Sequence, residues 1–367
     1  MAKFATSQLG QNVLVFQGGG ALGAYQAGVY EALHESGIEP DWVIGTSIGA
    51  INASLIAGNA RACRLDQLRE FWRRVEYDLP ANVLAALPCC GGFARLMTAV
   101  NGLSEFFAPN PAAVLGSMWP TDAESAALYS TVPLRNTLVD LVDFDQVNRR
   151  EVRISVGAAN VCTSEMCYFD SRDIEFRVEH VLASGAMPPA FPAVRVDGEL
   201  YWDGGLLSNT PLEAIFDDNP RRSALIFSVH LWNQEGQEPH TIAEVLNRQL
   251  DVQFASRTRS HVERQQQIHK LRHIIAELTG RLPEAERAAD DVRDMACYGC
   301  TTQMHVVALV APDLPDEDYA KDIDFSAGGI RARWDAGYAQ TMRAIETAPW
   351  AAPMDALEGV ALHWIMP

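Results

Sequence analysis

Apolar positions from Asn12 to Gln17 form a strand-length run, and helical apolar spacing follows from Gly23 to Ser36 through Tyr25, Ala27, Gly28, Val29, Ala32 and Leu33. Gly37 stops that helix. Asp41-Trp42-Val43-Ile44 reads as a second buried strand, and the stretch from Gly49 to Ile56 is small, apolar and helix-compatible. Strand, helix, strand, helix in this order predicts a parallel sheet with right-handed crossovers. Further strands are expected at Val152 to Ala158 and Met166 to Phe169, with a short helix from Val178 to Ser184. Val194 to Trp202 alternates around Asp197-Gly198, a hairpin signal. Ala224 to Val229 and His305 to Val310 read as two more buried strands.

Between those last two strands, Ile242 to Leu282 predicts a long helix or helix pair. Its apolar stripe is Ile268, Leu271, Ile275 and Leu278, and the spacing places Arg257, Arg259, His261, Arg264, His269, Arg272 and His273 on a solvated face. From Pro80 to Pro133 the pattern degrades, because repeated prolines interrupt runs of Ala, Leu, Phe, Met and Trp. That segment reads as short helices and loops, either a cap over a site or a peripheral insertion. The expected architecture is α/β, a three-layer α/β/α arrangement around a mainly parallel sheet. Residues 1–230 form its main domain with the insertion at 80–133, and residues 231–367 form a helical extension packed on the same core.

Composition narrows the function classes. A net charge of −18 argues against nucleic acid, whose phosphates need a basic footprint. It also argues against general attraction to anionic lipid, while leaving room for local apolar contact with a lipid surface. No targeting segment is evident, and no run approaches the roughly 18 apolar residues of a membrane span. Seven cysteines, an odd count in a chain of 367 residues, suit a reducing, cytoplasmic compartment. Cys297 and Cys300 have a metal-like spacing without a second pair at zinc-site distance, and Cys89-Cys90 lies far upstream, so no metal is expected. The oligomeric state is not legible.

The chemistry concentrates in three places. Gly45-Thr46-Ser47-Ile48-Gly49 joins the second strand to the second helix, a corner where a serine is exposed and flanking side chains would collide with backbone. Gln17-Gly18-Gly19-Gly20-Ala21-Leu22-Gly23 lies between the first strand and first helix, so its backbone N–H groups point out of a helix N-terminus and suit a developing oxyanion. In a parallel sheet these two loops emerge at the same edge. Gly18, Gly20 and Gly23 also match the dinucleotide fingerprint, but the second strand ends in Ile44-Gly45-Thr46 without the acidic residue that would hold a ribose.

The third place supplies a base. His230 and His305 stand at strand ends and fit strand structure better than a triad, whose serine follows more strands than two. Asp203 is the better candidate, since it leaves a hairpin into Gly204-Gly205, where a carboxylate can approach another backbone closely.

Taken together and in this order, the glycine loop, Gly45-x-Ser47-x-Gly49 and Asp203-Gly204-Gly205 resemble the patatin-like phospholipase family over roughly residues 12–230. The resemblance implies a Ser–Asp dyad without histidine, Ser47 as nucleophile, Asp203 as base and an oxyanion hole from Gly18, Gly19 and Gly20. It implies an acyl-ester substrate such as a phospholipid, and no cofactor. Leu22 departs from the family, many of whose members carry Arg or Lys there. That change leaves open a silent lipid- or protein-binding module, or an enzyme for thioesters or storage polyesters. Asp322 to Ser326 and Ile330 to Tyr338 are similar to an extension in a bacterial subset of the family. From the residues alone, Phe325-Ser326 reads as the capped start of a helix that packs on the core.

Overall fold

Successive side chains of the first strand, β1 (Gln11–Phe16), enter two different cores: Leu14 and Phe16 belong to one, Val13 and Val15 to another. A sheet apolar on both faces must be covered on both, which is the requirement that produces an α/β fold. A computed structural model describes residues 9–77, 102–111, 113, 120–255, 258–314, 320–355 and 357–366. Strands follow as β2 (Trp42–Thr46), β3 (Ala108–Pro109), β4 (Tyr129–Ser130), β5 (Arg153–Asn160) and β6 (Met166–Asp170). They continue as β7 (Val194–Val196), β8 (Glu199–Asp203), β9 (Ala224–His230), β10 (Met304–Val310) and β11 (Val360–Ile365).

The main sheet runs β11-β10-β9-β1-β2-β5-β8-β7, with β6 on the other edge of β5. From β11 to β5 every pairing is parallel, while β6, β7 and β8 pair antiparallel. The result is a mixed, mostly parallel sheet flanked by helices. The first face packs against α1 (Ala24–Glu35), α2 (Ile48–Ala57), α3 (Arg64–Val75), α4 (Val132–Leu141) and α5 (Val178–Ser184). The C-terminal part adds α6 (Ile242–Phe254), α7 (Thr258–Arg281) and α8 (Ala327–Thr347). Phe216, with Val262 of α7, covers the second face.

Register brings two strand ends together. Gly157 of β5 pairs with Thr46 on one edge and with Tyr168 of β6 on the other. Ala158 pairs with Cys167 of β6 and with Asp203 of β8. Because β6 occupies one edge throughout, β8 must take the edge that β2 leaves at Thr46. The chain turns away at Ser47, and Asp203 arrives from the opposite direction to meet that corner.

Most predicted elements form within a residue or two. The hairpin turn has positive φ at both Asp197 (48°) and Gly198 (94°), the signature of a type I′ turn. The helix-pair alternative holds for 242–282, and Ser326 caps α8 by accepting the N–H of Gly329 at 3.1 Å. Packing of α7 differs from the expectation. Leu271 and Leu278 are 62% and 59% exposed, whereas Val262, Gln265, His269 and His273 are buried. The rotation follows from the ground beneath: Gly359 leaves space for the His269 and His273 side chains, which would lie 2.8 Å from any Cβ placed there. The extension also carries β10 and β11, and β11 had no expectation attached to it. Of the segment from Pro80 to Pro133, residues 80–101, 112 and 114–119 lie outside the described residues.

Candidate active site

Ser47 sits at φ 57°, ψ −124°, a conformation that costs a non-glycine residue about 1–3 kcal/mol. Surrounding bonds hold it there. Its N–H donates to Ser184 Oγ at 3.0 Å, and that hydroxyl donates to Gly157 O at 2.6 Å. Its carbonyl accepts from Ala50 and Ile51 at the start of α2. The flanking glycines are steric necessities: a Cβ on Gly45 would lie 2.3 Å from Gly49 O, and one on Gly49 would lie 2.4 Å from Phe16 O.

Asp203 ends β8, fully buried. Its Oδ1 accepts the Gly205 N–H at 2.7 Å as the chain turns through Gly204 and Gly205. The Ser47 hydroxyl is near enough to bear on its carboxyl, whose Oδ2 is buried without a hydrogen-bond partner among the described residues. Burial pushes the Asp203 pKa up to about 7, against the lowering influence of the Ser47 hydroxyl and the Gly205 N–H. A carboxyl held near neutrality can change its protonation state under ordinary conditions.

The glycine loop completes the arrangement. The Gly18 N–H is already engaged, donating to Asn209 O at 3.3 Å. Among the described residues no acceptor takes the N–H of Gly19 or Gly20, so these two are the free donors. The loop is fixed from behind: Gly18 O accepts from Asn209 Nδ2 at 3.1 Å and from Trp232 Nε1 at 2.7 Å. The buried Gln17 side chain donates to Thr210 Oγ1 and Phe254 O and accepts from the N–H groups of Leu231 and Trp232.

A cavity of about 220 Å³ opens over Ser47 and the three glycines. Its wall is largely aromatic, with Phe106, Phe107, Tyr129, Phe191 and Phe325. Phe107 stacks edge-on to Tyr129 at 4.8 Å between ring centroids and lies 5.6 Å from Phe191. Asp322 is the one charged residue among the described residues that line the cavity. Phe106, Phe107 and Tyr129 come from the insertion at 80–133, and Phe254, Asp322, Ile323 and Phe325 come from beyond residue 230.

Neither His230 nor His305 lines this cavity. His230 Nε2 is 3.0 Å from Ser228 Oγ, with its pKa pushed down to about 4 by burial, and His305 stacks on His363. Sequence reasoning missed Ser184, Gln17, Trp232 and Phe254. Gln17 opens the glycine-loop motif and Ser184 ends an expected helix, but neither side chain had a role attached. The others carry no local signal, since each acts through a partner far along the chain. Among the described residues no group of His, Cys, Asp or Glu could hold a metal ion, and no helix is long and apolar enough to cross a membrane.

Comparison with known proteins adds a lineage. A family model described as patatin-like phospholipase matches residues 14–216, and one described as patatin phospholipase matches residues 252–357. The lysophospholipase nte1 of Aspergillus terreus is 55% identical over 47 residues, which is 13% of this chain and only 3% of that protein. Among solved structures, VipD from Legionella pneumophila is 16% identical, covering 92% of this chain and 67% of that one, with a TM-score of 0.38. The ExoU–SpcU complex of Pseudomonas aeruginosa is 18% identical, covering 95% and 64%, with a TM-score of 0.28.

Proposed function

The chain belongs to the patatin-like phospholipase family, and from that premise we propose that it is a serine acyl hydrolase that cleaves lipid esters through Ser47 and Asp203. One observation carries the reading: a strained serine faces an apolar cavity beside two unengaged backbone N–H groups, and its hydroxyl bears on the buried Asp203 carboxyl behind it. In the first step the Asp203 carboxylate takes the Ser47 proton as Oγ bonds to the ester carbonyl carbon. The Gly19 and Gly20 N–H groups stabilise the resulting oxyanion. Collapse breaks the ester C–O bond, and Asp203 returns the proton to the departing alcohol. Water then attacks the acyl-serine while Asp203 takes its proton, and the fatty acid leaves as Ser47 is reprotonated.

The wall chemistry favours recognition of the acyl chain over that of a phosphate head group. Leu22 stands where many relatives carry a basic side chain, and the described lining offers no Lys or Arg. The enzyme is read as a water-accessible protein that meets its substrate at a lipid surface, in a cytoplasmic, reducing setting that suits its free Cys63, Cys162, Cys167, Cys297 and Cys300. Ser47→Ala and Asp203→Asn should each lower turnover of a chromogenic short-chain ester by about a thousandfold. Wild-type-like turnover in either folded variant would overturn the assignment. A silent binding module would also fail to form a covalent adduct with a fluorophosphonate probe.

A further inference from the structure

Lys321 is 1% exposed, deep in the C-terminal part of the chain, and its Nζ donates to Asp251 Oδ1 at 2.9 Å. Asp251 is also buried, near the end of α6 and one turn before Phe254. A buried ion pair contributes little net stability, because desolvation of both charges offsets their attraction. What it does provide is a fixed distance between the two backbones that carry it.

The residues that follow Asp251 and Lys321 in the chain wall the catalytic cavity. Phe254 lines it on one side, and its carbonyl is the acceptor for both Gln17 Nε2 and Asn209 Nδ2 at 3.1 Å. Asp322, Ile323 and Phe325, immediately after Lys321, line it on the other. This second segment also presses on the glycine loop. Gly20 adopts φ +55°, and a Cβ there would lie 2.2 Å from Asp322 O. Arg333 of α8 donates to Lys321 O at 3.2 Å and to Asp324 O at 2.8 Å, so the segment is tied at both ends. Finally, Lys321 Nζ sits 5.4 Å over the Trp232 ring, whose Nε1–H bonds Gly18 O at 2.7 Å. Leu22 and Lys321 line the same small cavity behind the loop.

We propose that the buried Lys321–Asp251 pair is a clamp that closes the C-terminal wall on the glycine loop, so that Lys321 and Asp251 are positioning residues for the oxyanion donors and for the acyl chain. The extension is then part of the active site. Releasing the clamp separates Phe254 from Ile323 and Phe325, which opens the acyl slot. It also frees the loop carbonyl of Gly18 from its support, which misaligns the donors at Gly19 and Gly20. Displacements of about 1 Å in such a site cost on the order of a hundredfold in rate.

This inference rests on the acyl-hydrolase reading, and the test separates the two. Full-length wild type, Lys321→Met and Asp251→Asn are titrated with a fluorophosphonate, and kinetics on butyryl and decanoyl chromogenic esters are expressed per titrated site. Lys321→Met should raise KM for the decanoyl ester about tenfold more than for the butyryl ester, and should lower kcat on both. Asp251→Asn keeps an oxygen acceptor for Lys321 and should shift both quantities in the same direction by less. A merely structural role would reduce the titratable fraction and leave the chain-length profile per site unchanged, and that result in Asp251→Asn overturns the clamp even if Lys321→Met does not fold. Failure of wild type to be labelled, or turnover by Ser47→Ala, overturns the hydrolase reading instead.

Discussion

Ser47 and Asp203 are both held in states that an isolated residue would avoid, one by backbone angle and the other by burial. The Asp203 carboxyl, raised to about 7, keeps its proton in the folded protein over a range where the unfolded chain releases it. Between the ordinary carboxylate value and about 7 the native state therefore binds more protons, and stability falls as pH rises through that window. Asp203→Asn removes that loss. The variant should be more stable than wild type at pH about 8, by up to the order of 4 kcal/mol, and should gain much less near pH about 4, as read by denaturant melts. On the proposed mechanism activity has the opposite slope, because the base must be ionised. The kcat/KM of wild type should climb with pH through about 7 and level above it. A flat profile across that range would remove Asp203 as the titrating base.

Among the elements, β5 does the positioning. Its edge carries β2 up to Thr46 and β8 from Asp203, and Gly157 between them accepts the Ser184 hydroxyl that holds the elbow. Ser184→Ala leaves the Ser47 N–H without its acceptor, at a cost of about 1–3 kcal/mol in stability, and it should lower kcat more than it changes KM. Gly49→Ala forces β1 and α2 apart at Phe16 O and should destabilise the fold by about 1–3 kcal/mol in a thermal melt. The strands and the Ser47 corner were legible because their apolar runs and glycines are local signals. The packed face of α7 was not. Periodicity finds an apolar stripe, but the side that turns inward depends on what lies beneath, here Gly359 under His269 and His273.

At the scale of the whole molecule, the C-terminal part completes the sheet rather than decorating it. β10 covers the edge of β9, and Val262 and Met304 fill the second core with Val13 and Val15. α8 crosses α1 so closely that a Cβ on Gly28 would lie 1.9 Å from Trp334 O, and one on Gly337 would lie 2.1 Å from Tyr25 O. A chain ending at His230 would expose the edge of β9 and the part of the apolar second face that Val262, Met304, Val306 and Val360 cover. It should give insoluble protein, or soluble protein without a cooperative melt. A soluble fragment 1–230 with a sharp transition would mark that boundary as a true domain limit.

The sequence by itself determined the α/β class and the strand-to-helix corners, and it put forward the residues proposed as nucleophile, base and backbone donors, because each is written in a few neighbouring residues. Only the tertiary structure decided how these meet. The shared edge of β5, the Gly18 N–H engaged by Asn209, the aromatic wall, and the ion pair between Asp251 and Lys321 all join positions distant along the chain. Such contacts depend on register and helix rotation, and these are set by packing of the whole molecule, which no local spacing encodes.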